Sequence, residues 1–329
     1  MQLDDRIYVA GHRGLAGSAI LRTLQRKGYR NLLMRTHAGL DLTDQEAVGA
    51  FFDREKPDYV FVAAARVGGI LANNTYPAEF IYQNLMIQTN LIHNAYVAKV
   101  KKLLFMGSSC IYPRTAKQPM KEEYLLTGKL EPTNEPYAIA KIAGLKMCGA
   151  YNRQYGTNFM CVMPTNIYGP HDNYDLNNSH LVPALIRKMH EAKVQESEDV
   201  VIWGTGSARR EFLYSDDLGD ACVFLVENYD AGQVGNFVNV GVGKDIGIGE
   251  LAAVVAEVVG FEGDLKYDKT KPDGAPQKLL DVSRLGALGW TAGTSLRDGL
   301  HKAYRSYLRE NRASEETVQG ATLANEREY

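Results

Sequence analysis

Residues Arg6–Ile20 read RIYVAGHRGLAGSAI. Arg6 to Ala10 is a short β-rich run, and Ile20, Leu21 and Leu24 recur afterwards as the inward face of a helix. Between them stand Gly11, Gly14 and Gly17. Strand, glycine turn, helix is the order a dinucleotide site requires. Glycines let the backbone approach a pyrophosphate, and the amino end of the following helix attracts its charge. The spacing is G-x-x-G-x-x-G, not G-x-G-x-x-G, so an ordinary tight turn competes as a reading of these residues alone.

Working outward, Asn31–Arg35, Asp58–Ala64, Lys102–Met106 and Asn158–Met163 read as buried strands, and Pro77–Val100 as a long helix. Thr43 to Glu46 reads as a capping box for a helix ending before Pro57. This alternation predicts an α/β fold, a Rossmann-type doubly wound parallel sheet. After Gly169 the alternation becomes irregular. The expected division is a nucleotide-binding domain over 1–168, joined again by about 211–247, and a smaller α/β substrate domain over 169–210 and 248–329. A polar tail from about Asn311 is expected to fray.

The chemistry concentrates between Phe105 and Lys141. FMGSSCIYP (105–113) puts Gly107, Ser108, Ser109 and Cys110 at the carboxyl end of a strand, where open α/β sheets bind ligands. TNEPYAIAK (133–141) then opens a helix, with Pro136 in its first turn and Asn134 or Thr133 as cap. Tyr137 and Lys141 lie four apart on one face. A neighbouring cation favours the phenolate and is expected to lower the Tyr137 pKa, preparing the phenol to exchange a proton with a carbonyl oxygen. A second Y-x-x-x-K, Tyr267 and Lys271, precedes Pro272 and is read as incidental. Phe237–Val240 followed by Gly241-Val242-Gly243 makes a second strand-glycine unit before a helix from about Ile248. It lacks a Tyr/Lys partner and reads as a scaffold turn.

The cofactor's ribose is read from the end of the second strand. An NAD enzyme usually places a carboxylate there. Here Arg35, Thr36 and His37 follow, with Arg13 in the first loop, so a 2′-phosphate and NADP are expected. Net charge of −2 argues against a nucleic-acid or membrane-surface partner. Cys110, Cys148, Cys161 and Cys222 have neither zinc-site nor disulfide spacing. No metal is expected, and a reduced cytoplasmic setting fits. No secretory signal or bilayer-length apolar run is visible. The sequons at Asn73 and Asn177 carry no meaning without secretion.

GHRGLAGSAI (11–20), AAARVGGI (63–70), GSSCIYP (107–113), EPYAIAKIAG (135–144), PTNIYGP (164–170) and KPDGAPQKLLDV (271–282) together resemble the extended short-chain dehydrogenase/reductase family, over about residues 6–310. The likeness is to its nucleotide-sugar epimerase/reductases. It implies that Ser108, Tyr137 and Lys141 form the reductive centre, and that Cys110 and His180 move protons at the carbons beside a sugar ketone. It implies NADP held by Gly11, His12, Arg13, Gly14, Leu15, Ala16, Gly17, Arg35, His37, Asp41, Leu42, Met106, Gly107, Ser109, Lys141, Pro164, Thr165, Asn166, Ile167 and His180. Lys188, Trp203, Arg210 and Asp273 would contact the nucleotide sugar, and AAARVGGI would cover the nicotinamide half of the cofactor. Asn84 would be a structural asparagine. The helices carrying Asn84 and Tyr137 would pair across a homodimer. The implied substrate is GDP-4-keto-6-deoxy-D-mannose, epimerised at C3 and C5 and reduced at C4. A 4,6-dehydratase would need a carboxylate pair beside the active serine, where Ser109-Cys110-Ile111 offers none. A 4-epimerase would hold NAD, which Arg13 and Arg35 disfavour. A non-catalytic binding module need not keep Tyr137 and Lys141.

Overall fold

A computed structural model describes residues 1–176, 178–271 and 273–325. Asn177, Pro272 and residues 326–329 lie outside the described residues. β1 (Ile7–Ala10) passes through the glycine turn into α1 (Leu15–Arg26). β2 (Leu32–Leu33) is shorter than the expected 31–35 strand, because it is an edge strand paired only with β1. The cap of α2 (Gln45–Glu55) is Asp44, which accepts the Ala47 N–H at 3.0 Å. The expected box slips by one residue because the Thr43 hydroxyl already donates to Asp41 at 2.7 Å. β3 (Tyr59–Val62), α3 (Ile70–Thr75), α4 (Pro77–Val97), β4 (Lys102–Met106) and α5 (Glu135–Tyr155) follow, then β5 (Phe159–Pro164) and β6 (Asn166–Tyr168). The remainder comprises α6 (Leu181–Val194), β7 (Asp199–Trp203), β8 (Arg209–Tyr214), α7 (Ser215–Asn228), α8 (Ala231–Val234), β9 (Val238–Val240), β10 (Asp245–Gly247), α9 (Ile248–Val259), β11 (Asp264–Asp268), β12 (Gln277–Lys278), α10 (Ser283–Ala287) and α11 (Leu296–Asn325). The expected frayed tail is therefore helical through Asn325, a continuation of α11.

The main sheet runs β2-β1-β3-β4-β5-β9, every pair parallel. Successive residues of each strand point to opposite faces, and both faces are covered. Tyr8, Val60, Val62, Leu103, Phe105 and Phe159 pack with Phe51 and Phe52 of α2, Leu91 of α4 and Leu145 of α5. Ile7, Val9, Phe61, Leu104 and Val162 pack with Ile20 and Leu24 of α1 and Leu218 and Cys222 of α7. A strand buried on two sides must read as an unbroken apolar run, as these do. α1 and α7 approach so closely that a Cβ on Gly219 would come 2.5 Å from the Ala19 carbonyl oxygen.

The chain reverses direction across the sheet between β1 and β3, and a ligand in such a fold sits at the carboxyl ends there. A second sheet, β10-β8-β12 with β6 on β8, packs with α6, α9 and α11 around Phe212, Tyr214, Leu251, Val255 and Leu300. β7 and β11 form a separate parallel pair. Tyr267 lies in β11, so the second Y-x-x-x-K makes no helical pair.

Glu211 of β8 locks the two layers together. It is fully buried, and its Oε1 accepts the N–H groups of Val242 and Gly243 at 2.6 and 2.7 Å. Its Oε2 accepts Leu280 N–H at 2.9 Å. The second glycine turn thus turns its N–H groups to an internal carboxylate, which is why it is scaffold and no phosphate cradle.

Candidate active site

β4 ends at Met106, and the chain turns at once because Gly107 lies against Met163; a Cβ there would come 2.1 Å from its methyl carbon. Ser108, Ser109 and Cys110 are thereby delivered to the carboxyl edge of the sheet. The Ser108 hydroxyl accepts the Cys110 N–H at 3.3 Å and hydrogen-bonds the Tyr137 side chain. Lys141, one turn further along α5, is 3% exposed. Its Nζ donates to the Met106 carbonyl at 2.9 Å and lies 5.8 Å from the Tyr137 ring centre. The structure therefore brings Ser108, Cys110, Tyr137 and Lys141 to one place.

The expected electrostatics of that pair are reversed. Burial pushes the Tyr137 phenol upward, with the Cys110 sulfur adding to the rise and the Ser108 hydrogen bond opposing it. Burial also lowers Lys141 to about 8. Desolvation of both groups outweighs their mutual attraction, and the ammonium is aimed at the Met106 carbonyl. The phenol is thus held protonated, as a proton donor.

A second correction concerns the start of α5. Asn134 occupies the cap position, but its side chain caps nothing. Its Nδ2 instead donates to Cys110 Sγ at 3.2 Å. Asn84, inside α4, accepts the Arg66 N–H and donates to the Arg66 carbonyl, both at 3.0 Å. That clamps the loop after β3. Phe80, one turn earlier, meets the Tyr137 ring edge-on at 6.4 Å between centres. The AAARVGGI segment is a loop only to Gly69, the residue before α3. α3 packs on the Pro132–Asn134 turn, and Gly69 N–H reaches the Asn178 carbonyl at 3.2 Å. Through that bond the segment before His180 meets the same loop. His180 sits at the cap position of α6 with an exposed face, and surrounding protein lowers its pKa.

The glycine turn fits a dinucleotide. Gly11 has φ +83°, and its Cβ would come 2.7 Å from Ala64 N. A Cβ on Gly17 would stand 2.1 Å from the Gly11 carbonyl oxygen. Gly14 is different: its nearest neighbour would be 3.5 Å away. No side chain caps α1, so its first turn has no side-chain acceptor at Gly14. Lys141 adds a buried cation whose hydrogen bond to Met106 uses one of its three donors. At the nucleoside end, Arg13 is exposed with no side-chain partner among the described residues. Arg35 is committed to Glu55 at 2.6 Å and lies over the Phe51 ring. His37 stands 4.0 Å from Asp41, and Asp41 bonds Thr43. At the other end, Thr165 and Asn166 donate to the Glu211 carbonyl, with Pro164 buried before them and Ile167 following in β6.

Lys188, Trp203, Arg210 and Asp273 also come together. Trp203 is 59% exposed, and the ammonium groups of Lys188 and Lys271 lie 5.8 and 5.4 Å from its ring. Arg210 reaches the Asp273 carbonyl at 3.5 Å, and burial lowers the pKa of both Arg210 and Lys188. The Asp273 carboxylate is engaged internally by the Thr205 N–H at 2.7 Å and the Thr205 hydroxyl at 2.8 Å.

Residues 7–241 match the model of the NAD dependent epimerase/dehydratase family. GDP-L-fucose synthase 1 of Arabidopsis thaliana is 61% identical over 304 residues, spanning 92% of this chain and 93% of that one. GDP-L-fucose synthase of Escherichia coli (strain K12) is 54% identical over 309 residues, 92% of this chain and 96% of that one. The solved structure of MlghC, a GDP-mannoheptose C4 reductase from Campylobacter jejuni with NADP bound, superposes with TM-score 0.87 at 42% identity, covering 93% of this chain and 99% of that one. With its uncapped glycine turn, its Tyr137–Lys141 helix and these likenesses, the chain belongs to the NAD dependent epimerase/dehydratase family, the extended short-chain dehydrogenase/reductases.

Proposed function

We infer that the protein is an NADP-dependent epimerase and reductase that converts GDP-4-keto-6-deoxy-D-mannose to GDP-L-fucose. The observation that carries this reading is the single cluster of Ser108, Tyr137 and Lys141 with Cys110 joined to it, in a chain so close to proteins named for that synthesis.

The ketone at C4 acidifies the hydrogens at C3 and C5. Cys110 and His180 are the two groups that remove and return those protons. Ser108 and Tyr137 hydrogen-bond the C4 oxygen and stabilise the enolate charge. NADPH supplies the hydride that reduces C4. Tyr137, kept protonated by its burial, then gives its proton to the C4 oxygen. Lys141 keeps a positive charge beneath that exchange and offers its remaining donors to the cofactor ribose. The Gly11–Gly17 turn and the amino end of α1 hold the pyrophosphate. Arg13 and His37 meet the 2′-phosphate, with Arg35 beside them. Lys188 and Arg210 face the substrate diphosphate, and the exposed Trp203 ring offers a stacking surface. Asp273 serves by shaping the 204–207 turn, since its carboxylate is taken by Thr205.

We place the domain division at 1–168 with about 211–247 against 169–210 with 248–329. The return of the chain through α7 to β9 of the main sheet supports this, while β6 and β10 pair with β8 in the second sheet, the three forming the seam between the two parts. We propose a homodimer through α4 and α5, where Tyr82, Val97, Ile139 and Tyr155 are exposed, and a cytoplasmic setting. No helix among the described residues is long and apolar enough to cross a membrane.

Solvent deuterium exchange at C3 and C5 of the ketosugar tests the proton-transfer roles. Cys110→Ser and His180→Gln should each slow exchange by about a hundredfold or more. Wild-type exchange rates in both variants would remove the assignment.

A further inference from the structure

We propose that Asn134 is the positioning residue for Cys110: its amide N–H holds the sulfur for proton transfer at the sugar carbons, so that epimerisation depends on it and reduction does not. The proposal rests on the reading of Cys110 as one of the two proton-moving groups.

An asparagine at the first position of a helix ordinarily accepts an N–H from the first turn. Asn134 holds that position and makes no such bond. Its Nδ2 points at Cys110 Sγ, 3.2 Å away. Its Oδ1 is buried with no hydrogen-bond partner among the described residues. Folded chains rarely leave a buried carbonyl unpaired. Here that and an unused cap accompany one contact, the one to sulfur. The cysteine is consequently held from two directions, its backbone N–H by Ser108 at 3.3 Å and its side chain by Asn134. α3 packs over the same turn, so Asn134 has little freedom to swing away.

A donor facing sulfur fixes the direction of its lone pairs. When Cys110 takes a proton, the C–H bond breaks, S–H forms, and the electron pair moves to the ketone oxygen as an enolate. Returning a proton reverses these changes. Asn134 neither gains nor loses a proton in either step. Hydride transfer to C4 draws on Ser108, Tyr137 and Lys141, and none of these accepts a hydrogen bond from Asn134.

The test compares wild type, Asn134→Ala and Asn134→Asp, the last keeping the shape but not the N–H. GDP-4-keto-6-deoxy-D-mannose is incubated in ²H₂O without NADPH, and exchange at C3 and C5 is read by NMR. NADPH is then added, and both its oxidation and the C3/C5 configuration of the product are measured. Exchange should fall about tenfold or more in both variants, the size of one lost charge-assisted hydrogen bond. NADPH oxidation should stay within about threefold of wild type, a difference of about 0.65 kcal/mol, and the product should shift toward a reduced sugar with unaltered C3 and C5. NADPH binding at wild-type affinity shows that the variants are folded. Exchange within about twofold of wild type, or an equal fall in exchange and reduction, overturns the proposal. The second result would mean that Asn134 only fixes the start of the Tyr137 helix. Cys110→Ser run alongside separates the failures. If that variant also exchanges normally, the cysteine is misassigned and the proposal falls with it. If it loses exchange while Asn134→Ala keeps it, only the role of Asn134 is overturned.

Discussion

Lys141 is nearly inaccessible to water and has one carbonyl for company, so its charge is expensive to maintain. Burial brings its pKa to about 8. At neutral pH it is mostly an ammonium; as pH rises through about 8 it becomes neutral. Reduction that needs this cation should therefore decline across that range. We expect kcat/KM for ketosugar reduction to fall on the alkaline side with a midpoint near the Lys141 pKa of about 8. Lys141→Met should lower it by about a hundredfold or more at pH 7 and erase the alkaline limb. A profile flat to pH 10 in the wild type would show that the lysine charge is not used. The same residues mark the limit of reading a pair from spacing alone. The separation of Tyr137 and Lys141 correctly put both on one face of α5. It could not reveal that burial would dominate their electrostatics, because burial depends on Phe80, Phe105 and Met106, which come from distant parts of the chain. Asn134 was similarly legible as the start of a helix but not as a neighbour of Cys110, 24 positions away.

Among elements, the glycine turn separates two requirements. Gly17 is needed by the fold, since any Cβ there would collide with the Gly11 carbonyl. Gly14 has room for a methyl group toward the protein and faces the space in front of α1. Gly17→Ala is expected to lower the unfolding temperature and abolish cofactor binding together. Gly14→Ala should unfold within about two degrees of wild type, a change of about 1 kcal/mol at this size. It should nonetheless bind NADPH about tenfold more weakly or worse, because the methyl group occupies the path of the pyrophosphate. Calorimetric unfolding and fluorescence titration with NADPH check both; equal destabilisation by the two substitutions would contradict the distinction. Strands such as Lys102–Met106 were readable to the residue because a strand buried on two faces leaves an unbroken apolar run. The short strands β6, β10 and β12 were not. Each has two or three residues, and they are fixed by pairing with β8 rather than by any pattern of their own. The Glu211 lock was hidden for a related reason, since a lone glutamate in ARREF gives no sign that three backbone N–H groups will converge on it.

At the scale of the whole molecule, α4 and α5 lie side by side, with Tyr82, Val97, Ile139 and Tyr155 facing water. Helices with apolar residues on a second face are suited to bundle with another pair. Sedimentation velocity should find twice the 36.5 kDa chain mass for the wild type. Ile139→Arg should shift it toward the monomer, and a monomeric wild type would exclude the proposed bundle. The two layers meet where the Glu211 carbonyl holds Thr165 and Asn166 at the edge of the nucleotide domain. Trp203 and Lys188 stand beyond that seam, on β7 and α6, and Arg210 stands at it, on β8, so in the proposed assignment the sugar is held by a different layer from the hydride source. The most direct measurement is NMR identification of the product formed from GDP-4-keto-6-deoxy-D-mannose and NADPH. GDP-L-fucose, with C3 and C5 inverted and C4 reduced, is the result expected. Recovery of the ketosugar with its NADPH unconsumed, or of a reduced sugar retaining the original C3 and C5, would contradict the account.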